Sequence, residues 1–264
     1  MKKSYTYFLF ACVILVMFSC QKGYNQKSAI VKTKLLFEDS GSKNWKDKWM
    51  LDGEKSEVIN SRNGMELIAG PEHGNDSSHT VLWTKQIFEG NILIEYDYTR
   101  TDTTTRCVNI LYFHATGKGD SEYPSDIALW NEKRNVPHMS TYFNNMKTYH
   151  ISYAAFAAKE YSGDNDYIRL RRYNPTKEGL GGTDIAGDHF VTGLFKTGVT
   201  YRIKVLKYQN QIEMHIENKR NVSDHLICKW DVSAYPSYEL GRIGLRHMYT
   251  RNAIYKNFKV WEIK

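Results

Sequence analysis

Thr200-Tyr201-Arg202-Ile203-Lys204-Val205-Leu206-Lys207-Tyr208 alternates core-type and water-type side chains, and Ile212-Glu213-Met214-His215-Ile216-Glu217 repeats the alternation a few residues later. A period of two is that of a β-strand, because successive side chains point to opposite faces. Both runs read as strands with one solvated face, as antiparallel sheets have. Working outward, similar runs occur at Met65 to Ile68, Thr80 to Ile87, Asn91 to Thr99, Cys107 to His114, Thr148 to Ala154, Tyr167 to Arg172, Arg242 to Tyr249 and Ala253 to Glu262. Each is short and rich in β-branched or aromatic residues, and Gly, Asn, Asp and Ser mark the gaps. No long amphipathic helix, internal repeat or low-complexity tract competes. Many short strands at even spacing predict an all-β sandwich or jelly roll of two antiparallel sheets. Thr116 to Asn145 is the longest stretch without a clear strand, and long loops in compact domains are often functional.

The N-terminus predicts where the domain works. Lys2 and Lys3 precede an apolar run from Tyr7 to Phe18 that ends at Ser19-Cys20. The run is short for a membrane span but suits an export signal, and the small residue before Cys20 suits lipid attachment. The expected organisation is a lipoprotein signal peptide over 1–20 with Cys20 as lipid anchor, a polar linker over 21–34, and a jelly-roll domain over 35–264. The expected location is that of an exported bacterial lipoprotein, in the periplasm or at the outer membrane, touching membrane through its anchor only. About 240 residues then remain, within the range of a single β-sandwich. Of the four cysteines, Cys107 and Cys228 stay in the fold. Without a local spacing pattern they read as small buried hydrophobes rather than a pair, and no zinc-ligand spacing is present. The formal charge of +7 is spread along the chain rather than gathered in a basic helix or tract. That argues against a nucleic-acid partner and suits an anionic glycan.

Four segments, Thr148-Tyr149-His150-Ile151-Ser152-Tyr153, Arg169-Leu170-Arg171-Arg172, Gly241-Arg242-Ile243-Gly244-Leu245-Arg246-His247-Met248 and Tyr255-Lys256-Asn257-Phe258, resemble the YesU-like family from about Leu35 to the C-terminus. That family is a bacterial domain of unknown function, and the resemblance implies a concanavalin A-like jelly roll. It also implies a role in carbohydrate metabolism, since members tend to be encoded near machinery that degrades acidic plant or algal polysaccharides. Ala154-Ala155-Phe156 departs from the basic residues that follow the Ser-Tyr pair in the family, which alters the expected pocket rim.

On a regular strand His150 and Ser152 share one face, and Tyr149, Ile151 and Tyr153 share the other, which looks like core. Arg169, Arg171 and Tyr173 likewise share a face. A sheet lined by His150, Arg171 and Arg246 sets a titratable base beside fixed positive charge. That combination suits β-elimination on a uronic acid sugar, where a base removes the proton next to the carboxylate and a cation holds the charge that develops. His150 or Tyr153 would move the proton and Arg171 and Arg246 would hold the carboxylate. Tyr112, His114, Trp130, Ser152 and Arg169 are the further substrate-binding candidates, with His114 read as lying beside Tyr112 on one strand face. No cofactor is called for. The structural alternatives are a satisfied core histidine at His150 and ordinary ion pairs at Arg171 and Arg246.

Two other readings stand beside elimination. Glu95 and Asp97 share a strand face, as the carboxylates of jelly-roll glycosidases do, but Thr99 stands where a third carboxylate belongs. Glu213, His215 and Glu217 form a similar row that reads as a solvated face. The other reading is a glycan-binding lipoprotein without catalysis: six Trp and nineteen Tyr supply stacking surface, with Trp45, Trp49, Trp83 and Trp130 the rings to inspect for exposure.

Overall fold

A computed structural model describes residues 30–156, 166–175 and 179–264. In chain order the strands are β1 (Lys32–Asp39), β2 (Trp49–Asp52), β3 (Glu57–Ser61), β4 (Gly64–Ile68), β5 (Thr80–Thr84), β6 (Phe88–Glu89), β7 (Ile92–Arg100) and β8 (Cys107–Gly117). A connection follows, holding a 3-10 segment at Ile127–Arg134 and the helix α1 (Met139–Asn145). Then come β9 (Met146–Phe156), β10 (Asp166–Tyr173), β11 (His189–Phe190), β12 (Thr200–Tyr208), β13 (Gln211–Asn218), β14 (Asn221–Asp231), β15 (Leu240–His247) and β16 (Asn252–Ile263).

They form two sheets. The first runs β14-β13-β12-β7-β16-β4-β3 with β1 also on β16; the second runs β11-β10-β9-β8-β15-β5-β2 with β6 on β15. Every ladder among the described residues is antiparallel. The expected all-β, two-sheet architecture is what the chain adopts.

The alternation of β12 sends Tyr201, Ile203 and Val205 between the sheets and leaves Arg202 and Lys204 on the outer side. Tyr96, Tyr98, Tyr149, Ile151, Tyr153 and Leu111 meet them from β7, β9 and β8 in one interior cluster. Burying tyrosines at this depth demands partners for their hydroxyls. Tyr98 accepts from Asn109 Nδ2 at 2.7 Å, Tyr255 meets His247 Nε2 at 2.8 Å, and the Tyr153 and Tyr255 hydroxyls lie 3.1 Å apart.

β8 and β9 are buried on both faces because the connection between them folds back over the outer side of the second sheet. Ile127, Trp130, Tyr142 and Met146 pack there on Val81, Trp83, Ile110 and Tyr112, forming a second apolar cluster. Two ion pairs clamp this cover. Arg134 Nε donates to buried Asp52 Oδ2 at 2.6 Å, and the same oxygen accepts from Trp83 Nε1 and from the Tyr142 hydroxyl. At the other end Arg242 Nη2 and Nε hold Asp126. The 116–145 stretch is thus a helical cover rather than an open loop.

The Gly-x-Ile-Gly segment has a steric reason. A Cβ at Gly241 would stand 2.3 Å from the Ala115 nitrogen, and one at Gly244 would stand 2.5 Å from the Trp83 ring. Trp83 can therefore lie across Gly244 and stack on Tyr112 at 5.4 Å and 17°.

Several expectations need correction. β1 begins at Lys32, so the last residues assigned to the 21–34 linker are paired strand. β1, β2, β3 and β14 carry too little pattern to be read from sequence: β3 turns Ile59 toward water and Asn60 inward, and β14 is an edge strand that alternates only from Asp224 onward. The run from Thr80 breaks at Thr84. Cys107 and Cys228 are both free, as expected, but only Cys228 is a core residue and Cys107 is half-buried. The stretches read as signal peptide and lipid anchor, with most of the one read as linker, lie outside the described residues, among which no helix is long and apolar enough to cross a membrane.

Candidate functional site

Register across the second sheet assembles the site. Gly244 pairs with Trp83 and with Tyr112, Tyr112 with His150, and His150 with Arg171. Two positions along the strands, Arg246 pairs with Val81 and Ile110, Ile110 with Ser152, and Ser152 with Arg169. Because side chains repeat every second residue, both rows stand on the outer face of the sheet. The rows are sealed beneath the cover at Trp83 and Arg246. They stay buried through His150 and Ser152, and gain exposure only on β10, where the Arg171 and Arg169 side chains are 15% and 27% exposed.

His150 is the centre of this arrangement. Its Nδ1 lies 2.5 Å from the Tyr173 hydroxyl and its Nε2 lies 2.8 Å from Ser152 Oγ. Burial, reinforced by the guanidiniums of Arg171, Arg246 and Arg169, pushes its pKa well below the usual imidazole value. The ring is therefore neutral at physiological pH. Burial also raises the Tyr173 phenol well above its usual range, with Tyr112 adding to the effect, so Tyr173 keeps its proton.

The three arginines differ in how their charge is answered. Arg171 Nη1 pairs with Asp184 at 2.9 Å and Arg169 Nη2 with Asp188 at 2.6 Å. Arg246 has no carboxylate partner among the described residues. Its Nη2 donates to the Pro137 carbonyl and to His79 Nδ1, its guanidinium lies 4.5 Å from the centre of the Tyr142 ring, and its Nε and Nη1 make no hydrogen bond. His79 must present a bare nitrogen to this cation, and burial followed by Arg246 lowers its pKa to about 4. Three guanidiniums face two carboxylates around a neutral imidazole, so the site keeps a net positive charge.

Six of the residues singled out from sequence, Tyr112, His150, Ser152, Arg169, Arg171 and Arg246, share this face. Three do not. Tyr153 belongs to the interior cluster on the opposite side of β9, as the period of two dictates, and cannot act beside His150. His114 is turned away at a bulge, where its φ of +49° breaks the alternation. It bonds the Tyr238 carbonyl at 2.8 Å instead of lying beside Tyr112. Trp130 is 3% exposed, its Nε1 donating to the Pro124 carbonyl, so it offers no stacking platform. Trp49 and Trp83 are equally buried and Trp45 is half-buried.

Glu95 and Asp97 do share a face, but it is the outer face of the first sheet. Glu95 is paired with Lys32 at 2.6 Å, and Asp97 accepts from Arg202, Lys219 and Asn257. Burial opposes ionisation of Asp97, yet these donors outweigh it and hold the carboxyl below its usual range. A glycosidase acid needs the reverse shift. Glu213 and His215 bond one another at 2.8 Å on the same outer face.

Tyr173 and the two aspartates are site residues that the sequence reading misses. Tyr173 is within its reach, since it shares a face with Arg169 and Arg171; Asp184 and Asp188 lie in the segment after β10 and carry no local signal.

Fold and site together define a jelly-roll sandwich whose second sheet carries two buried polar rows that reach solvent at Arg169 and Arg171. The chain belongs to the family described as Domain of unknown function (DUF1961), which it matches over residues 34–260. Among solved structures it is similar to a Bacillus subtilis protein of unknown function with a galectin-like fold, at 18% identity and a TM-score of 0.67, covering 89% of this chain and 98% of that one. Lectin II from Ulex europaeus aligns at 7% identity and a TM-score of 0.55, covering 88% and 99%. The exoplasmic/lumenal domain of VIP36, in a Ca2+/Man3GlcNAc-bound form, aligns at 11% identity and a TM-score of 0.52, covering 80% and 82%. No curated protein sequence matches.

Proposed function

We propose that this chain is an exported glycan-binding protein whose ligand carries carboxylate groups, bound where the two rows reach β10. The observation that carries this reading is the charge along the two rows: Arg169 and Arg171, at the part-exposed end, pair with Asp188 and Asp184, while Arg246 behind them under the cover has no carboxylate partner among the described residues and leaves one positive charge in excess. A carboxylate entering there meets guanidiniums held in place by Asp184 and Asp188 and competes with those aspartates for them, and Ser152, His150 and Tyr173 stand behind as neutral hydrogen-bonding groups. Lectins of the same fold, among them one complexed with galactose, support sugar as the ligand class. The resemblance to the YesU-like family and the overall charge of +7 support an acidic one.

A second reading is β-elimination, favoured by one observation: His150 is held neutral with both ring nitrogens on hydroxyls. In that reaction a base takes the proton next to the carboxylate, the electrons form a carbon–carbon double bond, and the departing glycosidic oxygen is protonated. His150, through Tyr173 or Ser152, would supply both proton movements.

The test is to incubate the purified protein with a panel of uronic acid polysaccharides and neutral controls. Binding, the ultraviolet absorbance of unsaturated uronates and reducing ends are followed in parallel. Binding of acidic glycans without either product is the expected result. New absorbance would make elimination the function, and failure to bind any member would overturn the glycan reading. Export and lipid attachment at Cys20 are part of the proposal, tested by metabolic labelling with a radioactive fatty acid: label present in the natural chain and lost in Cys20→Ala.

A further inference from the structure

At the side of the sandwich, where edge strands β11 and β14 face each other, a cleft of about 440 Å³ opens between the sheets. That volume falls within the usual range of small-ligand sites. Its walls carry Phe190, His189 and Asp188 from one sheet and Asp224 and His225 from the other. Phe190 is 59% exposed, so one face of its ring is open to the cleft. It is held in place: Phe190 pairs across the ladder with Tyr167, the rings 6.4 Å apart, and Arg169 lies over the other ring at 5.3 Å.

The next residue is strained. Val191 has φ +53°, a left-handed conformation that β-branched residues avoid. The turn is held there by Asp166, whose carbonyl accepts from the Val191 amide at 2.9 Å and whose carboxylate accepts from the Thr192 amide at 2.7 Å. Strain of this kind persists where surrounding bonds over-determine it, and it is common at ligand clamps. Opposite, Asp224 and His225 line the other wall, Asp224 Oδ2 accepting from Asn218 Nδ2 at 3.1 Å. An apolar ring on one wall and a carboxylate and imidazole on the other match the two surfaces of a pyranose, whose C–H face packs on aromatics and whose hydroxyls bond polar groups.

We infer that this cleft is a second sugar subsite, stacking a pyranose on Phe190 and bonding its hydroxyls through Asp224 and His225. The inference rests on the glycan-binding reading and extends it, because Asp188 serves both places: it lines the cleft and accepts from Arg169 Nε at 2.7 Å. Arg169 and the cleft wall share Asp188, so a glycan chain held at Arg169 has the cleft as its neighbour. With two carboxylates in its walls, the cleft suits a neutral sugar ring or a uronate whose carboxylate points outward.

The experiment is calorimetric titration of the protein with oligogalacturonates and oligoalginates of increasing length. In the natural protein affinity should rise with length beyond the shortest binder. In Phe190→Ala and Asp224→Asn the longer oligomers should lose about tenfold in affinity while the shortest binder is unchanged. Arg171→Ala should weaken all lengths alike. Equal affinities of Phe190→Ala and the natural protein at every length would overturn the subsite and leave the glycan reading standing. Absence of binding by the natural protein would remove both.

Discussion

The Tyr173 hydroxyl stands 2.5 Å from His150 Nδ1 across the β9–β10 ladder, reaching it from two residues beyond Arg171, the ladder partner of His150. Since Tyr173 keeps its proton, we assign it as the donor to Nδ1, which puts the ring's own proton on Nε2, facing Ser152 Oγ. The contact fixes both the tautomer and the orientation of the imidazole.

Tyr173→Phe removes that donor and leaves a buried ring nitrogen without a partner. A loss of about 1–3 kcal/mol is expected, read from urea unfolding midpoints. Nitrogen chemical shifts of His150 should move away from a single Nε2–H tautomer, and unchanged shifts would refute the assignment.

Stability should fall as pH drops from 7 to 5. Burial, followed by Arg246, Lys207 and Arg251 respectively, lowers His79 to about 4, His114 to about 4 and His247 to about 3. Below the unfolded value of about 6.5, the unfolded chain takes up protons that the native state refuses, so native stability declines with falling pH down to those folded values. Each group contributes at most roughly 2 kcal/mol at pH 5. His114→Asn, which tolerates the left-handed backbone, should flatten the thermal midpoint against pH; an identical slope would count against this assignment.

Asp52→Asn removes the anion that Arg134, Trp83 and Tyr142 share. It leaves the buried Arg134 guanidinium without a counter-charge, at a cost of about 3–5 kcal/mol. Limited proteolysis should cut the variant within the cover over 118–145 sooner than elsewhere. Uniform cleavage would argue that the cover is held by packing alone.

Gly244→Ala pushes a methyl group into the Trp83 ring. Trp83 must tilt off Tyr112, costing about 1–3 kcal/mol. Near-ultraviolet circular dichroism should lose part of its tryptophan signal, and an unchanged spectrum would mean that the backbone yields instead of the ring.

Much of the fold is legible in the sequence because β12 and β13 announce their solvated and buried faces one residue at a time. The same period of two, taken from sequence alone, separates His150 and Ser152 from Tyr149, Ile151 and Tyr153. Register is another matter. Nothing local says that Arg171, His150, Tyr112 and Gly244 form one row, since that alignment is set by pairing between distant strands. His114 departs from its expected side because a bulge reverses it without any compositional trace. Trp130 departs from its expected exposure because the cover that buries it is held by Asp52, far away in the chain. The answering charges of Asp184 and Asp188 are invisible for the same reason.

The cover over the second sheet also gives the face a direction. Trp83 and Arg246 lie sealed at one end, and exposure returns only at Arg171 and Arg169, so the rows meet solvent over β10 alone. His150, 3% exposed behind that edge, is therefore screened from bulk water by the same two arginines through which it is approached.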